Sequence, residues 1–445
     1  MPTAQLDRPR ATPDVTPPTG SRAGRVLRRV GALRHTSPGR LQLILAALLT
    51  LGLLTGLVSG LAARAAQTGT ADLGGRAQPL LIEAETIYSA LADADTTAAQ
   101  AFLAGGLEPT ALTARYDDDL RRATDALASA ARRAPAGGAA ADAVHELATG
   151  VARYTALVAT ARANNRQGLP VGSAYLSAAS TLNRDTLLPQ AQTLFRAAQD
   201  EVGAGYDDAR SPVWVTLLVL LLAALLLALL LAQRYLSRTT HRTFNLPLVA
   251  ATVVTAVLAL GAGGLLTHQR ASLRAADTDG SAPVARLAEA RILALRTRGD
   301  EALTLAARSG KGAYEDDFDA ADRQVHDLLD KLAVDLNGPA ASSVGDATQR
   351  LSDYAVAHRK VRALDDGGAY DAAVDLAIGD ATSGTFGAAT DAIGAAMDDR
   401  KAAFTHEIGT AGRGLGVLTV LGPLLALLGC ALAVVGIRAR LEEYR

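Results

Sequence analysis

Four stretches of this 445-residue chain, 41–63, 213–232, 246–266 and 415–436, contain no Asp, Glu, Lys or Arg. At about 1.5 Å per residue, each is long enough as a helix to cross a hydrocarbon layer of roughly 30 Å. The chain therefore reads as an all-α integral membrane protein, with transmembrane helices at 41–63, 213–232, 246–266 and 415–437. Its 44 basic and 45 acidic residues matter by position rather than by total. Residues 1–40, the connector 233–245 and the tail 438–445 together hold 14 basic and 4 acidic residues, leaving 30 and 41 for segments 64–212 and 267–414. That is +10 against −11. By the positive-inside rule both termini and the connector are cytoplasmic, and the two long segments lie outside a plasma membrane crossed four times.

Segment 41–63 is about twice the length of a signal-peptide core and follows 40 residues of chain, so it is expected to stay as an anchor rather than to be cleaved. The proline-dotted start of the basic tail 1–40 reads as disordered. Within that tail, Ser21 to Arg34 alternates Val26, Leu27, Val30 and Leu33 with Arg22, Arg25, Arg28 and Arg29. It reads either as a helix lying on anionic headgroups or as a plain topology signal. Cys430 is the one cysteine, so no disulfide framework can form within the chain.

The two long segments echo each other. Tyr116-Asp117-Asp118-Asp119-Leu120 recurs as Tyr314-Glu315-Asp316-Asp317-Phe318. The series Val144, Leu147, Val151, Tyr154, Val158, Ala161 recurs 200 residues later as Val344, Ala347, Leu351, Tyr354, His358, Val361, followed by Arg162 and Arg362. Apolar spacing is helical throughout both, with breaks at Gly105-Gly106, Pro135 to Gly138, Asn164 to Pro170, Gly310, Asn337-Gly338-Pro339 and Gly367-Gly368. A kink is expected at Leu188-Pro189. The pattern predicts two duplicated extracytoplasmic antiparallel helical bundles, 64–212 and 267–414, each of four helices. In each, the first helix follows one crossing and the fourth leads into the next, the connectivity of a helical-bundle receptor.

No phosphate loop, HExxH pair or nucleophile elbow occurs, and the seven His show no ligand spacing. Neither an enzyme nor a pump is expected, and no catalytic residue, metal, cofactor or nucleic-acid partner. The acidic triplets 117–119 and 315–317 are read as first-turn carboxylates that complement a helix dipole, in preference to a metal or partner site. His358 is either a satisfied interior histidine or an external pH or ligand switch. Arg162 and Arg362, with Asn164, Asn165, Asp365 and Asp366 in the adjoining loops, are candidate contacts for a ligand or partner, solvated helix-end arginines being the plainer reading. Arg234, Arg238, Arg242, Arg438 and Arg440 are the candidate cytoplasmic docking residues; topology anchoring explains them equally well. Small residues recur within the crossings, notably Gly52, Gly56, Gly60, Gly263 and Gly429. They suit close helix packing inside one chain or, alternatively, a homodimer seam or a face that slides during signalling.

With its Arg-rich N-tail running into Leu-rich 41–63, its paired Tyr-acid-Asp-Asp segments, short Arg connector and stub tail, the chain resembles the actinobacterial GlnX-type membrane sensors. The resemblance implies a sensor that receives the state of an amino-acid-binding lipoprotein, GlnH, specific for glutamate, aspartate and their amides. It would pass that state to a cytosolic Ser/Thr kinase, PknG. No ligand motif of the family transfers to particular residues here. The cytoplasmic stretches are too short for an output domain of their own, which also points to a non-enzymatic relay. The alternatives are an envelope scaffold that binds other proteins without switching, and a direct small-molecule receptor.

Overall fold

The computed structural model describes residues 37–103, 108–210, 212–240, 245–307 and 312–441. The reading of residues 1–36, the breaks at Gly105-Gly106 and Gly310, and Arg242 lie outside them. Among the described residues every regular element is helical. In chain order these are α1 (Ser37–Asp72), α2 (Gln78–Leu103), α3 (Thr110–Arg133), α4 (Ala139–Arg166), α5 (Val171–Leu182), α6 (Leu188–Ala209) and α7 (Pro212–Thr240). The second half follows with α8 (Leu246–Ala275), α9 (Ala282–Ala307), α10 (Ala313–Asp335), α11 (Gly338–Asp366), α12 (Tyr370–Ile378), α13 (Asp380–Ala411) and α14 (Leu415–Leu441).

Three π turns, Leu73–Ala77, Asn183–Leu187 and Ala276–Ser281, join α1 to α2, α5 to α6 and α8 to α9. Each ends two residues before a proline, at Pro79, Pro189 and Pro283. A proline inside a helix offers no N–H and collides with the carbonyl four residues back. Here that carbonyl belongs to residue 75, 185 or 279, inside the widened turn, and the residue just before each proline bonds five residues back, as in Gln78 N–H to Leu73 O. The kink expected at Leu188-Pro189 takes this form, and the helix continues past it. At the distal turns, Gly168 (φ 67°) and Gly368 (φ 80°) end α4 and α11 in the left-handed conformation that glycine adopts without penalty. Leu169 N–H bonds to Asn164 O at 3.0 Å, and Ala369 N–H to Leu364 O at 2.9 Å.

The chain forms two compact units. One, the apolar unit, comprises Met1–Gly60, Thr216–Ala262 and Val420–Arg445 and draws on the four helices long and apolar enough to cross a membrane. Its interior is built from Leu41, Leu48, Leu225, Leu229, Leu248, Ala251, Ala433 and Ile437. Its outer face is also apolar, with Leu57, Leu220, Leu227, Leu260 and Val420 all exposed. Soluble domains rarely present so wide an apolar surface. Within this unit α1 meets α14 where a Cβ on Gly56 would lie 3.0 Å from the Ala426 Cβ. Asn245, the residue just before α8, reaches α14, its Nδ2 donating to Gly436 O at 2.8 Å. Helix α7 meets α8 through Gln233 Nε2, which donates to Thr252 Oγ1 at 2.8 Å.

The other unit, Leu61–Val215 with Gly263–Thr419, holds two four-helix bundles. Helices α2, α3, α4 and α5–α6 make the first, and α9, α10, α11 and α12–α13 the second. The first helices of the two, α2 and α9, pack against each other, and one hydrophobic core runs through both bundles. Polar bonds add to the seam: Tyr206 and Ser281 hydroxyls lie 2.7 Å apart, Arg210 pairs with Asp277 at 3.0 Å, and Arg291 with buried Glu85 at 3.4 Å.

One expectation is corrected. Helix α3 starts at Thr110, so Asp117 to Asp119 stand about two turns inside it and do not cap its dipole. In α10 the matching Glu315 and Asp316 do occupy the first turn.

Candidate functional site

The interior of a helical bundle is apolar by default, because a buried charge is stable only when paired and hydrogen-bonded. The second bundle departs from this at its distal end, away from the residues by which the chain enters and leaves the unit. There α9 supplies Arg298 and Glu301, α10 Glu315, and α11 His358, Arg362, Asp365 and Asp366. Arg298, Glu301, His358 and Arg362 are all buried.

These side chains form one line in which basic and acidic groups alternate. Arg298 Nη1 donates to Glu301 Oε1 at 2.5 Å. His358 Nδ1 lies 2.8 Å from Glu301 Oε2, and its Nε2 3.3 Å from Glu315 Oε1. Arg362 Nε lies 3.3 Å from Glu315 Oε2, while its Nη1 and Nη2 donate to Asp365 at 2.5 Å and Asp366 at 2.8 Å. Both imidazole nitrogens thus face carboxylate oxygens. The line begins in the bundle interior and reaches solvent at Asp366, whose side chain is 41% exposed.

The fourth helix is tied in at a break. Helix α12 ends at Ile378, Gly379 is extended (φ −61°, ψ 151°), and α13 begins at Asp380. Arg298 Nη2 donates to Ala377 O and Ser383 Oγ, each at 3.0 Å. A carbonyl in the last turn of a helix lacks an intrahelical donor, and the guanidinium fills that need. Aromatic rings wall the network: Phe318 stacks on His358 at 3.6 Å between centroids, and Tyr354 lies 5.0 Å from Phe386.

The first bundle is polar at the corresponding tyrosine but much less charged. Asp95 Oδ1 accepts from Ser180 Oγ at 2.9 Å and from Tyr154 OH at 3.2 Å. Burial pushes the Asp95 carboxyl up, against the pull of the Ser180 bond. Near the bundle seam, burial raises Asp300 to about 7, with Arg296 opposing the rise and Asp317 adding to it.

Of the residues singled out from sequence, His358, Arg362, Asp365 and Asp366 come together in the second bundle. Arg162 stands apart in the first, its guanidinium held by Glu108 at 2.6 and 2.7 Å and by Thr113 Oγ1, 5.1 Å from the Tyr116 ring centroid. Asn164 and Asn165 donate to Thr160 O and Phe102 O. Arg234, Arg238 and Arg438 are exposed; Arg242 and the side chain of Arg440 lie outside the described residues. A Cβ on Gly52 would meet Cys430 Sγ, and one on Gly429 would lie 3.8 Å from Thr255 Oγ1. Gly60 is half-buried, and at Gly263 a Cβ would meet nothing within 4 Å.

Arg298, Glu301 and Glu315 were not singled out as site residues. The first two continue the α9 stripe Ala288, Ile292, Leu295 at helical spacing, so charge on a core stripe was the available signal. Among the described residues no three His, Cys, Asp or Glu side chains form a metal-binding group. What the network can do is exchange partners, since each charge already has one and a charged ligand or partner would compete for it.

Over residues 69–207 the chain matches the family model of the actinobacterial sensor domain. The match takes in the end of α1 and nearly all of the first bundle, and it supports a sensory role. No curated protein and no solved structure matches the chain.

Proposed function

We propose that this chain is a non-enzymatic transmembrane relay of the GlnX type. In this reading the bundle unit lies outside the cell and receives the state of a solute-binding lipoprotein carrying glutamate, aspartate or one of their amides. A displacement of the bundle helices then passes along the chain to a cytosolic Ser/Thr kinase. The observation that carries the sensory part is the sensor-domain match over residues 69–207. The lipoprotein and the kinase come from the resemblance in layout described above.

A relay needs two states with different contacts. The line from Arg298 to Asp366 offers such contacts, because it joins all four helices of one bundle through bonds that a competing charge could replace. The same observation favours a second reading, direct binding of an amino acid, whose ammonium and carboxylate match the two signs of charge in the network.

Titration of the full-length protein with glutamate, aspartate, glutamine and asparagine, with and without the lipoprotein, separates the readings. The relay predicts a melting shift only when the liganded lipoprotein is present, and loss of the amino-acid-dependent kinase response on deletion. A shift with amino acid alone favours the direct receptor. No shift in either case, with an intact cellular response after deletion, overturns both and leaves a non-switching envelope scaffold.

A further inference from the structure

The apolar unit contains a groove of about 470 Å³ between α1 and α7. Ile44, Ala47 and Leu48 form one wall and Ala228, Leu231 and Ala232 the other. Both sets recur at three- and four-residue spacing, so each wall is one face of one helix. The trough exists because three of these residues are alanines, which leave space between backbones that larger side chains would fill. Its volume is in the range of small-molecule sites.

One end of the groove is basic. Arg234, Tyr235 and Arg238 line it, with the two arginines one turn apart on α7 and both exposed. Among the described residues neither guanidinium has an acidic partner, and the sequence holds no Asp or Glu anywhere from 213 to 245. A pair of guanidiniums with no acidic partner among the described residues, beside an apolar trough, matches a molecule with a phosphate at one end and hydrocarbon at the other. Basic pockets between membrane helices recognise anionic lipid headgroups by this combination, and paired guanidiniums suit phosphate oxygens better than ammonium groups do.

We propose that this groove is a binding site for one anionic glycerophospholipid from the leaflet on the connector side. An acyl chain lies between α1 and α7, and the phosphate rests on Arg234 and Arg238. The bound lipid fills the space that the alanines leave and holds the two helices together. The proposal rests on the apolar unit alone and stands whether or not the chain is a relay.

The test uses the full-length protein, stripped of lipid in detergent and then given phosphatidylglycerol or phosphatidylcholine, with native mass spectrometry counting retained lipids. Phosphatidylglycerol is expected to bind in preference and to raise the melting temperature. Arg234→Ala with Arg238→Ala should weaken that binding roughly thirtyfold, from about 1 kcal/mol per basic residue at a lipid surface. Arg234→Lys with Arg238→Lys, which keeps both charges, should retain most of it and so serves as the control for folding. Ala47→Phe should also remove binding with both arginines intact, because Ala47 is exposed and the ring enters the trough rather than the core. Equal retention of the two lipids, or phosphatidylglycerol binding that survives the double alanine change, overturns the proposal. Undiminished binding by Ala47→Phe overturns the groove.

Discussion

His358 and Glu301 contact each other at 2.8 Å with both side chains shut away from solvent, and 200 residues before His358 the chain carries Val158. One bundle therefore has an ionic interior where the other has a methyl-bearing one. A buried pair gains from Coulomb attraction what it loses in hydration, whereas removing one member leaves a charge uncompensated. Here Glu301 keeps Arg298 and Glu315 keeps Arg362, so His358→Val costs each carboxylate only its imidazole partner and should lower stability by about 1–3 kcal/mol in chemical unfolding of the full-length protein. Aligned on Pro79 and Pro283, Arg298 and Glu301 correspond to Ala94 and Thr97. Adding Arg298→Ala and Glu301→Thr to His358→Val should restore at least half of the lost stability. If the triple variant is less stable than the single one, the network is a net source of stability.

Across the seam between the bundles, Glu85 is almost wholly buried and meets Arg291 at 3.4 Å. Burial pushes its carboxyl up, and the Arg291 charge partly offsets this. Arg291→Ala should destabilise the protein by about 3 kcal/mol, by stranding the carboxylate, while Glu85→Gln should be close to neutral. Combining the two should recover most of the loss. Unfolding curves for the four proteins give the coupling directly, and additive effects would mean the 3.4 Å contact carries no energy.

Asp300 gives the bundle unit a pH dependence with a definite sign. Its carboxyl titrates at about 7 in the folded chain against 3.8 in the reference state, principally because of burial. The folded form therefore holds the proton more tightly, so stability falls as pH rises from about 4 to about 7 and levels off beyond. Asp300→Asn should raise neutral-pH stability by about 1 kcal/mol and flatten that slope. Melting temperatures between pH 5 and 8 check this; an unchanged slope would assign the pH dependence to other buried carboxylates, such as Asp93 and Asp95.

The spacing of apolar residues made the helices legible, because a period of 3.6 with glycine and proline punctuation specifies both the elements and their ends. Gly168 and Gly368 close the distal turns where the breaks at Asn164 to Pro170 and Gly367-Gly368 fell. The ionic network was only half legible. His358, Arg362, Asp365 and Asp366 stood out near one another on α11, but Glu301 is 57 residues away and joins them only when α9 packs beside α11. The acidic triplet at 117–119 misled for a related reason. First-turn capping depends on where a helix begins, and α3 starts at Thr110, some seven residues earlier than the triplet suggested. The π turns left no mark in the apolar pattern beyond their prolines, because a π turn keeps the chain helical while shifting its register.

Gly52 tests how the small residues of the apolar unit are used. A Cβ built on it would run into the Cys430 Sγ and force that neighbour to move. If this glycine serves packing within one chain, Gly52→Ala should cost about 1–3 kcal/mol through overpacking. Cys430→Ala shortens the facing side chain, so the double variant should recover most of that loss. Thermal unfolding in detergent measures the stabilities, and light scattering measures the oligomeric state. A Gly52→Ala protein of unchanged stability that has lost a dimer present in the parent would instead place this glycine on a seam between two copies.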